Sequence, residues 1–181
     1  MLKVYDSAIT FAEFPDEITL AVNISNCPGM CDGCSEPWLL EDVGEELTED
    51  KIDSLIAEHP DITVFGLMGG DSDHDDVARI ADYIHGKYPK LKVGMYSGRE
   101  FLNMKLLECL DLYKIGRWIM PKGPASEWHL TNNGVLQFPW SNQLLFEKLG
   151  DRWYNATWKF RKEKIGNPAR YIITSNEEDP K

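Results

Sequence analysis

Cys27, Cys31 and Cys34 stand in one short stretch, Asn26-Cys27-Pro28-Gly29-Met30-Cys31-Asp32-Gly33-Cys34-Ser35-Glu36-Pro37-Trp38, in the order C-x3-C-x2-C. Glycine permits the backbone angles that fold such a loop back on itself, and proline limits the alternatives. The loop can therefore point three sulfurs at one centre. Structural zinc usually takes four ligands, commonly as two separated pairs. Here there is one C-x-x-C, one further cysteine upstream and no second pair. A [4Fe–4S] cluster held by three cysteines leaves one iron without a protein ligand, free to bind a substrate or cofactor. The rival is a Cys3His zinc site, but His59, His74, His85 and His129 are scattered and none lies close to the triplet. Ligand count and spacing favour the cluster.

Such a loop needs a scaffold. Ile18, Leu20, Val22 and Ile24 alternate at period two, and this strand runs directly into the cysteines. Residues 62–68 form a near-continuous apolar run, the pattern of a strand covered on both faces, and end in Gly69-Gly70-Asp71. A third strand over 91–96 ends in Ser97-Gly98-Arg99, and a fourth spans 111–116. Helices fill the intervals. Thr48 can cap one carrying Ile52, Leu55 and Ile56. Ser72 or Asp73 can cap a second over 73–87, with Val77, Ile80, Ala81 and Ile84 on one face. A third covers 100–110. Strand–helix alternation from 18 to 116 predicts parallel strands, and sites in such folds lie at the carboxyl ends of the strands. Four strands are too few for the closed eight-stranded barrel. The expected fold is α/β, a partial, open (β/α) barrel of mostly parallel strands with an N-terminal β arm formed by residues 2–12. Phe14-Pro15-Asp16-Glu17 is a turn.

Other candidate groups have plainer explanations. His59 sits at a helix end. Asp71, Asp73, Asp75 and Asp76 lack the spacing of a calcium loop and suit a helix start. His74 and His85 are expected to face solvent. Cys109 falls on the apolar face of the third helix and is a small buried hydrophobe, not a fourth ligand. Residues 117–140 show no clear period, and residues 145–165 add aromatic and basic groups expected to pack as core. The tail, 175–181, is polar and expected to be mobile.

The chain has 181 residues and a formal net charge of −11. An acidic surface repels phosphate backbones, which argues against general nucleic-acid binding. No apolar run approaches a membrane span, charge comes too early at the amino terminus for a secretory signal, and free cysteines suit a reducing compartment. A cytoplasmic protein without membrane or nucleic-acid partners is expected. It has no internal repeat and no convincing domain boundary.

C-x3-C-x2-C is the signature of radical S-adenosylmethionine enzymes. The neighbourhood Asn23-Ile24-Ser25-Asn26-Cys27-Pro28 through Cys31-Asp32-Gly33-Cys34 resembles the activating proteins of anaerobic ribonucleoside-triphosphate reductase. That subgroup commonly has glycine before its third cysteine, as Gly33 is here. It often continues with His or Tyr and then Asn or Ser, where this chain has Ser35 and Glu36. The resemblance covers most of residues 15–145. It implies one radical-SAM domain over 1–181, with a core at about 15–145 and an aromatic C-terminal extension at 146–174. It implies Cys27, Cys31 and Cys34 as ligands of a [4Fe–4S] cluster and S-adenosyl-L-methionine as the second cofactor. Gly33 and Ser35 would lie beside that cofactor, Gly69, Gly70 and Asp71 at its amino group, and Ser97 at its ribose or carboxylate. Trp140-Ser141-Asn142-Gln143 resembles a Ser-Asn-Gln stretch of shorter members. The implied partners are the glycyl-radical subunit of the reductase and a reduced flavodoxin or similar electron donor, with a homodimer compatible. No side-chain acid or base is required, so no catalytic side chain is assigned. Two alternatives stay open: another radical-SAM enzyme, whether an activase of a different glycyl-radical enzyme or a deazaguanine synthase, and a non-enzymatic zinc- or iron–sulfur-binding module.

Overall fold

The computed structural model describes residues 1–118, 129–130, 136–137, 143–160 and 172–173. Its elements are β1 (Lys3–Thr10), β2 (Thr19–Ile24), β3 (Glu45–Glu46), α1 (Glu49–Glu58), β4 (Val64–Met68), α2 (His74–Lys87), β5 (Lys92–Ser97), α3 (Met104–Cys109), β6 (Leu112–Ile115), β7 (His129–Leu130), β8 (Leu136–Gln137), β9 (Leu144–Leu149), β10 (Arg152–Asn155) and β11 (Ile172–Ile173). Among the described residues nine strands form one open sheet in the order β11-β10-β9-β6-β5-β4-β2-β1-β3, and β7 pairs with β8 separately. The four central strands β2, β4, β5 and β6 are parallel. The outer strands are antiparallel: β1 folds back on β2 as the expected N-terminal arm, and β9 lies against β6. The fold is therefore mixed α/β with a parallel centre, and the sheet does not close.

Local chemistry places the helices. The Thr48 side chain accepts from the Lys51 N–H and starts α1, and Asp73 accepts from the Asp76 N–H and starts α2. The third helix is shorter than its apolar spacing predicts: it begins only after Asn103, whose side chain accepts from the Lys105 N–H. A side-chain cap at Asn103 ends the extended chain there, so residues 100–102 stay outside the helix. The three helices bury Ile52, Val77, Ile80, Ile84 and Leu106 against Leu20, Val22, Phe65, Leu67, Val93 and Met95 of the strands. Phe146 and Trp153 of the C-terminal hairpin join this core, and the Trp153 indole donates to the Leu107 carbonyl at 3.1 Å. The expected aromatic packing holds for these two residues. The tail and the Trp140–Asn142 part of the Ser-Asn-Gln stretch lie outside the described residues.

The opposite face of the sheet carries a smaller core of Phe14, Val64, Leu112, Leu145 and Ala156. Phe14 belongs to the turn between β1 and β2 yet is fully buried. Gly66 and Gly94 are neighbours in register on β4 and β5, and the Phe14 ring lies over the lane they leave open. A Cβ on Gly94 would meet the ring at 2.5 Å, and one on Gly66 at 3.1 Å.

His85 does not project freely into solvent. Its Nε2 lies 2.8 Å from Asp111 Oδ2, an oxygen that also accepts from the Val93 N–H at 2.8 Å. The Asp111 bond raises the His85 pKa above its usual range, against burial and the Lys148 charge, with Asp82 adding to the rise. Burial pushes the Asp111 carboxyl up, but His85 and the Val93 N–H outweigh it and the net direction is down. A raised histidine pKa gives stability that is full below the ordinary value and fades as pH rises through the raised one; a lowered carboxylate gives stability that fades as pH falls. The pair therefore contributes most between the ordinary values of 3.8 and 6.5. Thermal transitions measured across pH should show His85→Gln losing less stability than the parent as pH rises above 6.5. Parallel curves would overturn this assignment.

Candidate metal centre at the carboxyl edge of the sheet

The cysteine loop leaves the end of β2, as its sequence placement predicts. Ser25 is buried, and Asn26 takes a left-handed conformation, φ 59°, that turns the chain outward. The base of the loop is closed by two backbone bonds, Asn26 N–H to Glu41 O and Cys27 N–H to Leu39 O, both at 2.9 Å. Leu39 belongs to a short 3-10 turn over Pro37–Leu40 and is itself buried, which anchors the return limb. The Cys34 N–H donates to the Cys31 carbonyl at 3.2 Å, with Gly33 at φ 66° completing that turn.

Cys27, Cys31 and Cys34 are free and half-buried. A Cβ on Gly29 would lie 3.5 Å from Cys27 Sγ and 3.8 Å from Cys31 Sγ, so the bare glycine leaves a hollow between two thiols. Burial pushes the Cys27 thiol pKa up, and the charges of Asp71, Cys31 and Cys34 push the same way, against a bond to Gly29. All three cysteines and Asp71 thus share one neighbourhood. Among the described residues no set of three His, Cys, Asp or Glu side chains is drawn tightly enough to hold a single ion. A multi-iron cluster binds each sulfur through a different iron and needs the sulfurs spread further apart than one ion does. The three-cysteine donor set suits such a cluster.

Asp71 lies just beyond the end of β4, the parallel neighbour of the strand that carries the loop, with only 6 % of its side chain exposed. Its Oδ1 accepts from Ser97 Oγ at 2.7 Å and its Oδ2 from the Gly98 N–H at 2.8 Å, so Asp71 and Ser97 are joined directly. His74, expected in solvent, lies with Nε2 at 3.3 Å from Asp71 Oδ1 and Nδ1 at 2.7 Å from Asn103 Nδ2. The Asn103 oxygen is taken by the Lys105 N–H, so its amide donates to His74 Nδ1. This assigns the His74 proton to Nε2, facing Asp71. Gly69 and Gly70 have φ 123° and 117°. A Cβ on Gly69 would stand 3.2 Å from the Ile24 carbonyl, and one on Gly70 2.8 Å from Val77. Close packing alone therefore demands both glycines. Gly33 and Ser35 are exposed on the loop.

Asp71→Asn puts an amide N–H where the buried Ser97 hydroxyl, or the Gly98 N–H, needs an acceptor. It is expected to cost about 1–3 kcal/mol, read by urea unfolding, and an unchanged midpoint would show that these bonds are not made.

Residue type and spacing did not mark four further groups at this edge. Asn23, Met68, Tyr96 and Lys114 are aligned neighbours across the four parallel strands. They lie on the face away from the helices. Lys114 Nζ sits 3.8 Å from the Tyr96 ring centroid, and burial brings its pKa down to about 8, with Glu13 opposing. The signal available was position: each lies at the last inward-facing place before a strand end.

A family model described as a 4Fe-4S single cluster domain matches residues 18–136, well over half the chain. The chain belongs to the 4Fe-4S single cluster domain family. No curated protein and no solved structure matches it. The matched span of this 4Fe-4S single-cluster protein runs from β2 to β8 and includes the whole cysteine loop, Asp71 and Ser97. No helix among its described residues is long and apolar enough to cross a membrane.

Proposed function

We propose that this iron–sulfur protein is a radical S-adenosylmethionine enzyme that generates a glycyl radical on anaerobic ribonucleoside-triphosphate reductase. The observation that carries the reading is the C-x3-C-x2-C loop at the carboxyl end of the first of four parallel strands, beside the strand that runs into Gly69-Gly70-Asp71. When bound, the cluster and S-adenosylmethionine supply reductive cleavage to a 5′-deoxyadenosyl radical. The chain's own groups position. Cys27, Cys31 and Cys34 would hold the cluster through three of its irons. Asp71 Oδ1 is occupied by Ser97 and His74, while Oδ2 accepts one bond from Gly98, so a lone pair of Oδ2 remains for the cofactor ammonium. Gly33 and Ser35 lie on the loop's outer limb for the adenosine end, and Gly69 and Gly70 bring the β4 backbone to the amino group. A partly barrel-like curl of the open sheet, one domain over the whole chain, an electron donor of flavodoxin type and a homodimer belong to the same reading.

The test is anaerobic reconstitution with iron and sulfide, followed by dithionite and S-adenosylmethionine. Expected is 5′-deoxyadenosine that depends on the three loop cysteines, and a glycyl radical, seen by electron paramagnetic resonance, when the reductase subunit is added. Protein that binds zinc, takes up no cluster and forms no product would overturn it. Product without a radical on the reductase would overturn the choice of partner.

A further inference from the structure

Arg117 and Trp118 follow directly on β6 and reach back across the sheet edge to the cysteine loop. Arg117 Nη2 donates to the Met30 carbonyl at 2.6 Å, and Trp118 Nε1 donates to the Gly33 carbonyl at 3.0 Å. These two carbonyls are special in the chain. The Met30 carbonyl belongs to the peptide unit that leads into Cys31, and the Gly33 carbonyl to the one that leads into Cys34. A peptide unit is planar, so holding its oxygen restricts where the next Cα can sit. The unit leading into Cys27 is already held, because the Cys27 N–H donates to Leu39. Each of the three cysteines therefore has its preceding peptide unit anchored to something outside the apex of the loop.

The anchor is itself braced. Gly116 takes φ 121°; its N–H donates to the Arg99 carbonyl at 2.8 Å and its carbonyl accepts from Gln143 Nε2 at 3.0 Å. The strand end that carries Arg117 and Trp118 is thus tied to the β5 loop and to the start of β9. Met30 is 79 % exposed, so no core packing holds this part of the loop in its place.

We propose that Arg117 and Trp118 are positioning residues for the iron–sulfur cluster: a two-point clamp that sets the placing of Cys31 and Cys34 and lays a fixed positive charge beside the site. The proposal rests on the three-cysteine ligand set of the preceding reading and not on the radical chemistry. Partners that orient ligands from outside the ligand shell are worth roughly 10–100-fold in metal affinity. A cation near a cluster favours the reduced, more negative form and raises the reduction potential.

The test uses the full chain, reconstituted without oxygen, as the parent and as Trp118→Phe, Arg117→Gln and Arg117→Lys. Trp118→Phe keeps the ring and loses the N–H; Arg117→Lys keeps the charge; Arg117→Gln loses the charge, and its shorter side chain stops short of the Met30 carbonyl. Iron release to a chelator is expected to quicken about tenfold in Trp118→Phe and Arg117→Gln and about a hundredfold in their combination. The midpoint potential is expected to fall in Arg117→Gln and to hold in Arg117→Lys, a pattern that mere loosening of the fold does not produce. Iron release at the parent rate in both single variants, or a potential indifferent to the Arg117 charge, would overturn the clamp. Cys31→Ala runs beside them. A cluster retained at full occupancy there would sink the ligand set and the clamp with it, whereas a cluster lost there and indifferent to Arg117 and Trp118 would sink the clamp alone.

Discussion

Alanine at Cys27, Cys31 or Cys34 is expected to abolish the four-iron cluster and all 5′-deoxyadenosine formation, while alanine at Cys109 leaves both intact. Under the proposed ligand set, three protein ligands would leave one iron open; removing a thiolate would leave a second iron unheld, and the loss should exceed the roughly hundredfold expected when mere outer partners go. Cys109 differs in its surroundings. It lies on α3 among Leu106, Leu107 and Leu110 in the helix-side core and contacts the Leu106 carbonyl at 3.6 Å. Burial, with the Asp82 charge second, pushes the Cys109 thiol up to about 11, the direction that Cys27 also takes, so place in the fold and not acidity separates the two. Loss of Cys109 should cost only a core sulfur, about 1 kcal/mol of stability. Iron and sulfide content, the visible absorption of the reconstituted protein and product yield read the result. A cluster that survives in a loop variant and vanishes in Cys109→Ala would overturn the ligand assignment.

What the sequence made legible follows from the range over which each signal acts. β2 and β4 were visible because alternation and apolar runs are properties of five to seven consecutive residues. α1 and α2 were visible because Thr48 and Asp73 satisfy N–H groups three residues away. The cysteine loop was visible because its three thiols lie within eight residues. The signals failed where the partner is distant. His74 and His85 sit on the outward side of an amphipathic helix by periodicity, yet Asn103 and Asp111 lie 29 and 26 residues further along. Arg117 and Trp118 bind carbonyls 87 and 85 residues away, and nothing local distinguishes them from any other post-strand pair. Their position after the fourth parallel strand was the usable clue, since whatever follows such a strand emerges beside the site.

Phe14 shows the same limit and yields the second large effect. Its turn reads correctly, with Glu17 N–H bonded to the Phe14 carbonyl and Asp16 at φ 72°. Turn chemistry does not say that the ring is a plug. Gly66 and Gly94, each in the middle of a strand, are the complementary half of the signal. Phe14→Ala removes a fully buried ring and is expected to cost about 3–5 kcal/mol. It also frees Tyr96, whose ring meets Phe14 edge-on at 5.2 Å and whose hydroxyl donates to the Glu13 carbonyl. Tyr96 stands in the row next to the glycine lane, toward the cysteine loop, so the plug supports the face on which Lys114 lies. Gly94→Ala alone places a methyl 2.5 Å from the ring and is expected to cost about 1–3 kcal/mol by overpacking. In the Phe14→Ala background the same methyl enters vacated space and should be close to neutral. Urea unfolding of the four proteins measures the coupling, expected at about 1–3 kcal/mol. Contact between ring and lane requires that non-additivity. Strictly additive losses would mean that Phe14 packs elsewhere and that the glycines answer to some other neighbour.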